Sequence, residues 1–352
     1  MTMKIFFFGL LMSIQAIAAP YFISAEPLPI THDEINGSAL CATARETLAY
    51  LNKGSHYDPQ VIHAGKVFQV PLARVKATLA FVCRHQHELN DPAFIKKHFD
   101  FIRWYPDLEQ TKPFFNKPLI GNLPKDKILM TKYYVHLAKA SPKPTSAYPF
   151  ALYALPRDEK SLTLEEANTK PGLIRFQYGK QAILKGALTN KPVPVLAYLN
   201  REDLEAALLQ GTIVADFGDG VKIFNVHRNN NILYDKAKNP YQQERYWYFK
   251  QVEGIKGYGK DAEHKITVNS EATFAADLGQ FGLGKLLMVQ YSDSKGNIIT
   301  RAGIFADTGG AFKDNSYQVD FLTGSYAGQE AFYQANRHLP NYVTAYFMVL
   351  KK

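Results

Sequence analysis

From about residue 128 onward the chain is cut into short apolar and aromatic runs, and this punctuation constrains the fold more than any other feature. Ile128-Leu129-Met130, Tyr133-Tyr134-Val135 and Phe150 to Leu155 are broken by prolines at 142, 144, 149 and 156. The pattern continues through Leu173 to Tyr178, Val193 to Tyr198, Ile213 to Phe217, Val221 to Val226 and Tyr246 to Phe249. It resumes at Lys265 to Val268, Leu286 to Tyr291, Ile298 to Phe305 and Val343 to Leu350. Such runs are too short for amphipathic helices and suit strands. Asp219-Gly220 and Asp293 to Asn297 have the composition of hairpin turns. Only Arg201 to Leu209 and Ala327 to Asn336 read as helices among them.

Residues 38 to 105 carry the other period. Leu40, Ala44, Leu48 and Leu51 recur at helical spacing, and Pro71 precedes a second set, Leu72, Val75, Leu79 and Val82. Asp91-Pro92 supplies a cap and first-turn pair for a third helix with Phe94, Ile95 and Phe99. Helices followed by strands predict a mainly β, α+β protein. With 352 residues, one large or two ordinary domains are expected.

Met1 to Ala18 reads as an export leader: Lys4, then the apolar run Ile5 to Met12, then Ala16-Ile17-Ala18 before a cut. The run is too short to span a bilayer, no later stretch is long enough, and no cysteine follows it closely enough to take a lipid. The expected location is the periplasm or cell envelope, or the medium. In an oxidising compartment Cys41 and Cys83 have one possible pairing, a disulfide; the alternative is two buried thiols.

Much chemistry is excluded. Charged residues are 21% and apolar ones 46%, which is not a disordered composition. The formal charge of +9 becomes 9 − 1 = +8 once Lys4 is removed. The lysines and arginines are scattered rather than set in a stripe with aromatics, which argues against nucleic acid. There is no HExxH, GxSxG, P-loop or CxxC, so no metal or cofactor is expected. His85 and His87 fall on different faces of a helix. Gly254, Gly257 and Gly259 lack dinucleotide spacing and read as turn glycines.

Arg301 to Gly328 is different. A strand ends in Asp307, Gly309 and Gly310 allow a tight turn and close approach, and Val319-Asp320-Phe321 sets a second acid between apolar neighbours. Burial disfavours the charged form, so Asp320 is a candidate general acid. The plainer alternative is that Asp307 caps the glycine turn and Asp320 a strand end.

This segment closely resembles the end of the membrane-bound lytic murein transglycosylase A (MltA) family. Asp307, Gly309, Gly310, Ala311, Phe312 and Lys313 match that family's Asp-x-Gly-Gly-Ala-hydrophobic-Lys motif. Asp320, Gly324 and Gly328 match its second aspartate and the glycine-rich stretch after it. Thr131-Lys132-Tyr133-Tyr134, Tyr148 to Pro156, Val195 to Tyr198, Leu209 to Thr212, Phe217 to Gly220 and Ala275-Ala276-Asp277 resemble other family segments. The resemblance implies a double-psi β-barrel with a helical N-terminal segment and an inserted small β-domain. The implied division is 1–18 leader, 19–130 plus 251–352 barrel, and 131–250 insert, with a groove between the last two.

It further implies an exported lytic transglycosylase acting on peptidoglycan glycan strands. Such enzymes cleave the MurNAc–GlcNAc β-1,4 bond without water and leave 1,6-anhydroMurNAc ends. Asp320 matches the family's catalytic acid, and Asp307 its conserved neighbour. Thr131, Tyr134, Gln210, Gly309, Gly310 and Lys313 are expected to meet substrate, with Asp277 behind them. A monomer is the default expectation. The sequence departs from the family pattern at Lys132, Val135, Thr212 and Asp314, in the acid spacing of 320 − 307 = 13, and in a compact 226–246 stretch. The alternative left open is a non-catalytic glycan-binding relative.

Overall fold

The computed structural model describes residues 21–29, 32–310 and 312–352. The expected leader, 1–18, and Ala311 of the glycine motif lie outside them.

Helix Gly37–Leu51 starts where the Asn36 side chain accepts a hydrogen bond from Ala39 N, and it buries Leu40, Ala44 and Leu51. Helix Leu72–Arg84 packs Val75, Leu79 and Val82 inward. A disulfide joins Cys41 to Cys83 and so ties these two helices together. The third helix, Pro92–His98, is capped by the Asp91 side chain as expected. The helical period then ends sooner than the sequence suggests. Phe99–Tyr105 is a strand, because Phe99, Phe101 and Trp104 are buried against a neighbouring strand rather than along a helix face.

The strands form one twelve-stranded sheet and two short pairs. Tyr342–Leu350 pairs with Leu286–Ser292, which pairs with Ile298–Asp307. Thr273–Ala275 is next, then Gln318–Tyr326, then the long strand Ile128–Lys139. The long strand pairs back onto Tyr342–Leu350 through Tyr342↔Leu129 and Val343↔Ile128, so the pairings return to where they began. A large core of phenylalanine and aliphatic side chains lies against this arrangement and the two disulfide-linked helices.

The far half of the long strand does something else. His136 to Lys139 pair with Thr212–Asp216, which continues through Val221–Asn229 to Trp247–Val252. The expected turn at Asp219-Gly220 joins the first two of these. A second buried cluster, including Leu152, Leu199, Leu204 and Phe249, lies wholly between residues 138 and 249. Within it, Leu173 to Tyr178 is not the strand its apolar run suggests. Ile174–Gln177 is a helical turn, started by the Asp158 carboxylate accepting from Ile174 N at 2.8 Å and closed over buried Arg175 paired with Glu159. A distant ion pair outweighs local propensity there. Among the described residues no helix is long and apolar enough to cross a membrane.

Candidate active site

The three-residue strand Thr273–Ala275 sits between the strands that carry the two acids. Ala275 pairs with Asp307 on one side and Asp320 on the other. Two strand spacings put their Cα atoms roughly 10 Å apart on one face. This alignment depends on a bulge. Phe274 pairs with Phe305, but Ala275 pairs with Asp307, so Ala306 is skipped. Without that extra residue Asp307 would turn to the face of Phe274 and Phe321, whose rings pack together in the core.

Asp307 is fully engaged. Its Oδ2 accepts from the Tyr133 hydroxyl at 2.7 Å and its Oδ1 from Thr308 N at 2.8 Å. Burial pushes its pKa up to about 6, against the downward pull of those two donors and of the Lys265 charge. The Tyr133 phenol is itself pushed well up, first by burial and then by the Asp307 charge, so it remains a proton donor.

Asp320 is less engaged and more shifted. Burial raises its pKa to about 7; the Asp307 charge adds to the rise, while the Thr131 hydroxyl and the Lys132 amine oppose it. Its Oδ1 is buried without a hydrogen-bond partner among the described residues. Thr131, directly opposite on the long strand, accepts from Gln318 Nε2 at 2.8 Å and lies 3.2 Å from Val319 O. Its single proton turns to either that carbonyl or the carboxyl.

A cleft of about 670 Å³ opens on this face. One wall is the long strand from Lys132 to Val135 together with Gln210 to Thr212. The other is the 255–268 hairpin, with Asp307 and Thr308 at the floor and Phe332 and Tyr333 at the rim. Gly211 takes φ +80° to end helix Arg201–Gln210 and turn into the next strand. At Gly257 a Cβ would stand 2.7 Å from Ala306 O, so only glycine lets the hairpin lie this close to Asp307.

The residues expected from the sequence divide into two groups. Tyr134, Gln210 and Asp307 line the cleft, while Asp320 and Thr131 are half-buried beside it and are not among its lining residues. Tyr134 stacks on Phe332 with ring centres 4.7 Å apart. The Gln210 side-chain oxygen accepts from His136 N, which fixes its amide at the cleft wall. Asp277 and Lys313 instead line an adjoining hollow of about 310 Å³, which shares Tyr258 and Thr308 with the cleft. Asp277 caps a helical turn by accepting from Gln280 N and also holds Asn315 N, so its carboxylate anchors a loop. Gly309 and Gly310 are exposed, neither has positive φ, and a Cβ on Gly310 would meet nothing within 4 Å. The expected turn is closed by Phe312 N donating to Gly309 O at 3.0 Å, but no close packing at Gly309 or Gly310 requires glycine.

Nothing in the sequence singles out Tyr133 or Lys265 as site residues. Tyr133 stands within a family-like motif, but no local feature marks it as the partner of Asp307. Lys265 lies in an unremarkable short run, and only folding brings it to the acid.

This is a mainly β protein with a cleft lined by Asp307 and with Asp320 beside it, both pushed up in pKa by burial, and its fold is that of MltA-type lytic murein transglycosylases. Three solved structures show this. The membrane-bound lytic murein transglycosylase from Agrobacterium tumefaciens matches over 90% of this chain and 93% of its own, at 15% identity and TM-score 0.56. Escherichia coli MltA with bound chitohexaose matches over 94% and 95%, at 17% identity and TM-score 0.56. Neisseria gonorrhoeae MltA matches over 90% and 88%, at 17% identity and TM-score 0.57. No family model and no curated protein sequence matches the chain.

Proposed function

We propose that this chain is an exported lytic transglycosylase that cleaves the MurNAc–GlcNAc β-1,4 bond of peptidoglycan, with Asp320 as acid and then base. The observation that carries this reading is the Asp320 carboxyl: pushed up by burial to about 7, with one oxygen lacking a hydrogen-bond partner among the described residues, on the same face as Asp307. The Asp320 proton passes to the glycosidic oxygen as the C1–O bond breaks. The resulting carboxylate takes the proton of the C6 hydroxyl, whose oxygen closes on C1. The acid is regenerated, a 1,6-anhydro ring forms, and no water is consumed. Asp307, mostly ionised at pH 7 and held by Tyr133 and Thr308, keeps the Asp320 pKa high and offsets positive charge developing at C1.

The likeness of fold to the three MltA structures supports this assignment, as does the return of the strand pairings upon themselves, which suits a double-psi barrel. In this reading 19–130 plus 251–352 form the barrel unit and 131–250 the insert, with Tyr134 and Gln210 meeting the glycan and Thr131 acting through Asp320. Asp277, Gly309, Gly310 and Lys313 fall outside the cleft and serve the adjoining loop.

A second reading has a specific observation in its favour. Asp320 is not among the residues that line the cleft, as a non-catalytic glycan-binding protein would allow. Digestion of purified peptidoglycan with product mass analysis separates the two. The enzyme yields 1,6-anhydro-muropeptides, and its Asp320→Asn variant releases them at least about a hundredfold more slowly. Reducing-end products would indicate hydrolysis, and glycan binding with no product would leave the binder.

A further inference from the structure

The cleft holds more positive charge than its own acid balances. Asp307 is the one carboxylate among the described residues that line it, beside Lys132, Lys256 and Lys265; Lys265 feels the Asp307 charge, Lys132 that of Asp320, and Lys256 those of Glu46 and Glu253. These amines differ in what they have left to offer. Lys132 Nζ is already surrounded by Asn341 Oδ1 at 2.7 Å and the carbonyls of Met130, Leu339 and Pro340. Lys256 Nζ has one bond, to Thr267 Oγ1 at 2.7 Å. Lys265 Nζ has no hydrogen-bond partner among the described residues, although the residue is half-buried and feels the Asp307 charge. An ammonium group carries three donors, so Lys256 and Lys265 leave most of theirs open to the cleft.

Their wall is rigid. The hairpin is fastened by Tyr258 N to Ala306 O at 3.0 Å, and the Tyr258 hydroxyl donates to buried Asp58. Tyr258 therefore stands fixed between the two lysines in sequence, with its ring in the cleft wall. Aromatic faces for sugar rings and an unspent amine pair lie within one cavity.

We propose that Lys265, with Lys256 beside it, is an anion subsite that takes a carboxylate carried by the glycan, so that the cleft selects an acidic glycan over a neutral one. Lys265 is set against ionised Asp307, and Glu46 and Glu253 near Lys256 do not line the cleft, so a carboxylate on the glycan would take up the donors that the two amines leave open. Charge-assisted bonds to a half-buried amine on a fastened hairpin are the strong kind. The inference rests on the proposed glycan function and adds what the glycan must carry. Two sources share the chemistry: the lactyl carboxylate of a peptide-free MurNAc, and the carboxylates of a stem peptide.

The test is calorimetric binding of size-matched oligomers to the full chain bearing Asp320→Asn. The oligomers are an all-GlcNAc chain, a peptide-free GlcNAc–MurNAc chain, the same chain with its lactyl carboxylates amidated, and a peptide-substituted chain. The free-carboxylate chain is expected to bind about tenfold tighter than the all-GlcNAc and amidated chains. Lys265→Gln should abolish that preference and Lys265→Arg should keep it, with circular dichroism showing both folded. If the peptide-substituted chain binds like the free-carboxylate one, the stem also supplies the anion; if it binds like the amidated one, the lactyl group alone does. Equal binding of acidic and neutral chains, an unchanged preference in Lys265→Gln, or no binding at all overturns the subsite. Anhydro products from the wild-type protein in any of those cases leave the lytic reading standing, whereas their absence removes both.

Discussion

Tyr133 donates its phenolic proton to Asp307 Oδ2 across 2.7 Å, although 174 residues separate the two in the chain. The bond holds Asp307 toward its ionised form, and the Asp307 charge in turn raises the pKa of Asp320. Replacing Tyr133 by Phe removes a donor that burial keeps protonated. The Asp307 pKa then rises further, its charge at neutral pH falls, and Asp320 loses part of its upward push. The alkaline limb of the pH–rate profile, where the general acid loses its proton, is expected to move to lower pH. Turnover of peptidoglycan across pH 5–9 checks the direction; a limb that moves up or stays in place contradicts the coupling.

The two acids should separate by kinetics. Asp320→Asn removes the proton donor and should lower the rate of anhydro-product release by roughly 10²–10⁴-fold, the usual share of general acid–base catalysis. Asp307→Asn removes the charge and keeps one acceptor oxygen, for Tyr133 or for Thr308 N but not for both. It should retain measurable activity with its alkaline limb shifted down. If Asp307→Asn is the dead variant and Asp320→Asn the active one, the acid role belongs to the residue in the cleft.

The same shifts set a stability trend. Asp320 and Asp307 have folded pKa values of about 7 and about 6, above the ordinary 3.8. The folded state therefore binds more protons than the unfolded one between pH 4 and pH 7, and stability contributed by these groups falls as pH rises through that window. Melting temperature should decline from pH 4.5 to pH 7.5 less steeply in Asp320→Asn than in the wild type. Parallel curves for the two proteins would mean that Asp320 titrates at an ordinary value.

The hairpin over Asp307 depends on one missing side chain. In Gly257→Ala the new Cβ would meet Ala306 O and Val268 Cγ1, each at 2.7 Å. Displacing the hairpin should cost about 1–3 kcal/mol, as overpacking does, and should weaken glycan binding with Lys265 and Tyr258 intact. Chemical denaturation and calorimetry measure the two effects.

Opening the disulfide tests the helical segment. Cys41 and Cys83 close a loop with a sequence separation of 42, worth about 4 kcal/mol on the chain-entropy model. A double replacement by Ala should lower the denaturation midpoint by a corresponding amount while the acid pair keeps its pH profile.

How much is legible in the sequence depends on range. The Asp91-Pro92 helix start and the Asp219-Gly220 turn are set by a few adjacent residues, so their sequences announce them. Phe99–Tyr105 and Ile174–Gln177 depart from their local patterns because distant partners decide them. The first is drawn out by the C-terminal strand Tyr342–Leu350, and the second by the Asp158 carboxylate and the Glu159–Arg175 pair. The candidate acids are legible as residue types. The sequence does not show that Asp277 and Lys313 belong to another hollow, or that Lys265 joins Asp307, because each depends on which loops pack together.

The sequence by itself determined a helical start with one possible cysteine pairing, a long β remainder, and two carboxylic acids on neighbouring stretches near the C-terminus. The tertiary structure decided that both acids answer to Ala275 from opposite sides, that a bulge at Ala306 turns Asp307 out of the core, and that Tyr133 reaches it. The physical reason is that periodicity, capping and turn chemistry act over a few residues. Strand register and burial are settled only when the whole sheet closes over its core, and from them come the pKa values of about 6 and about 7 on which the proposed chemistry rests.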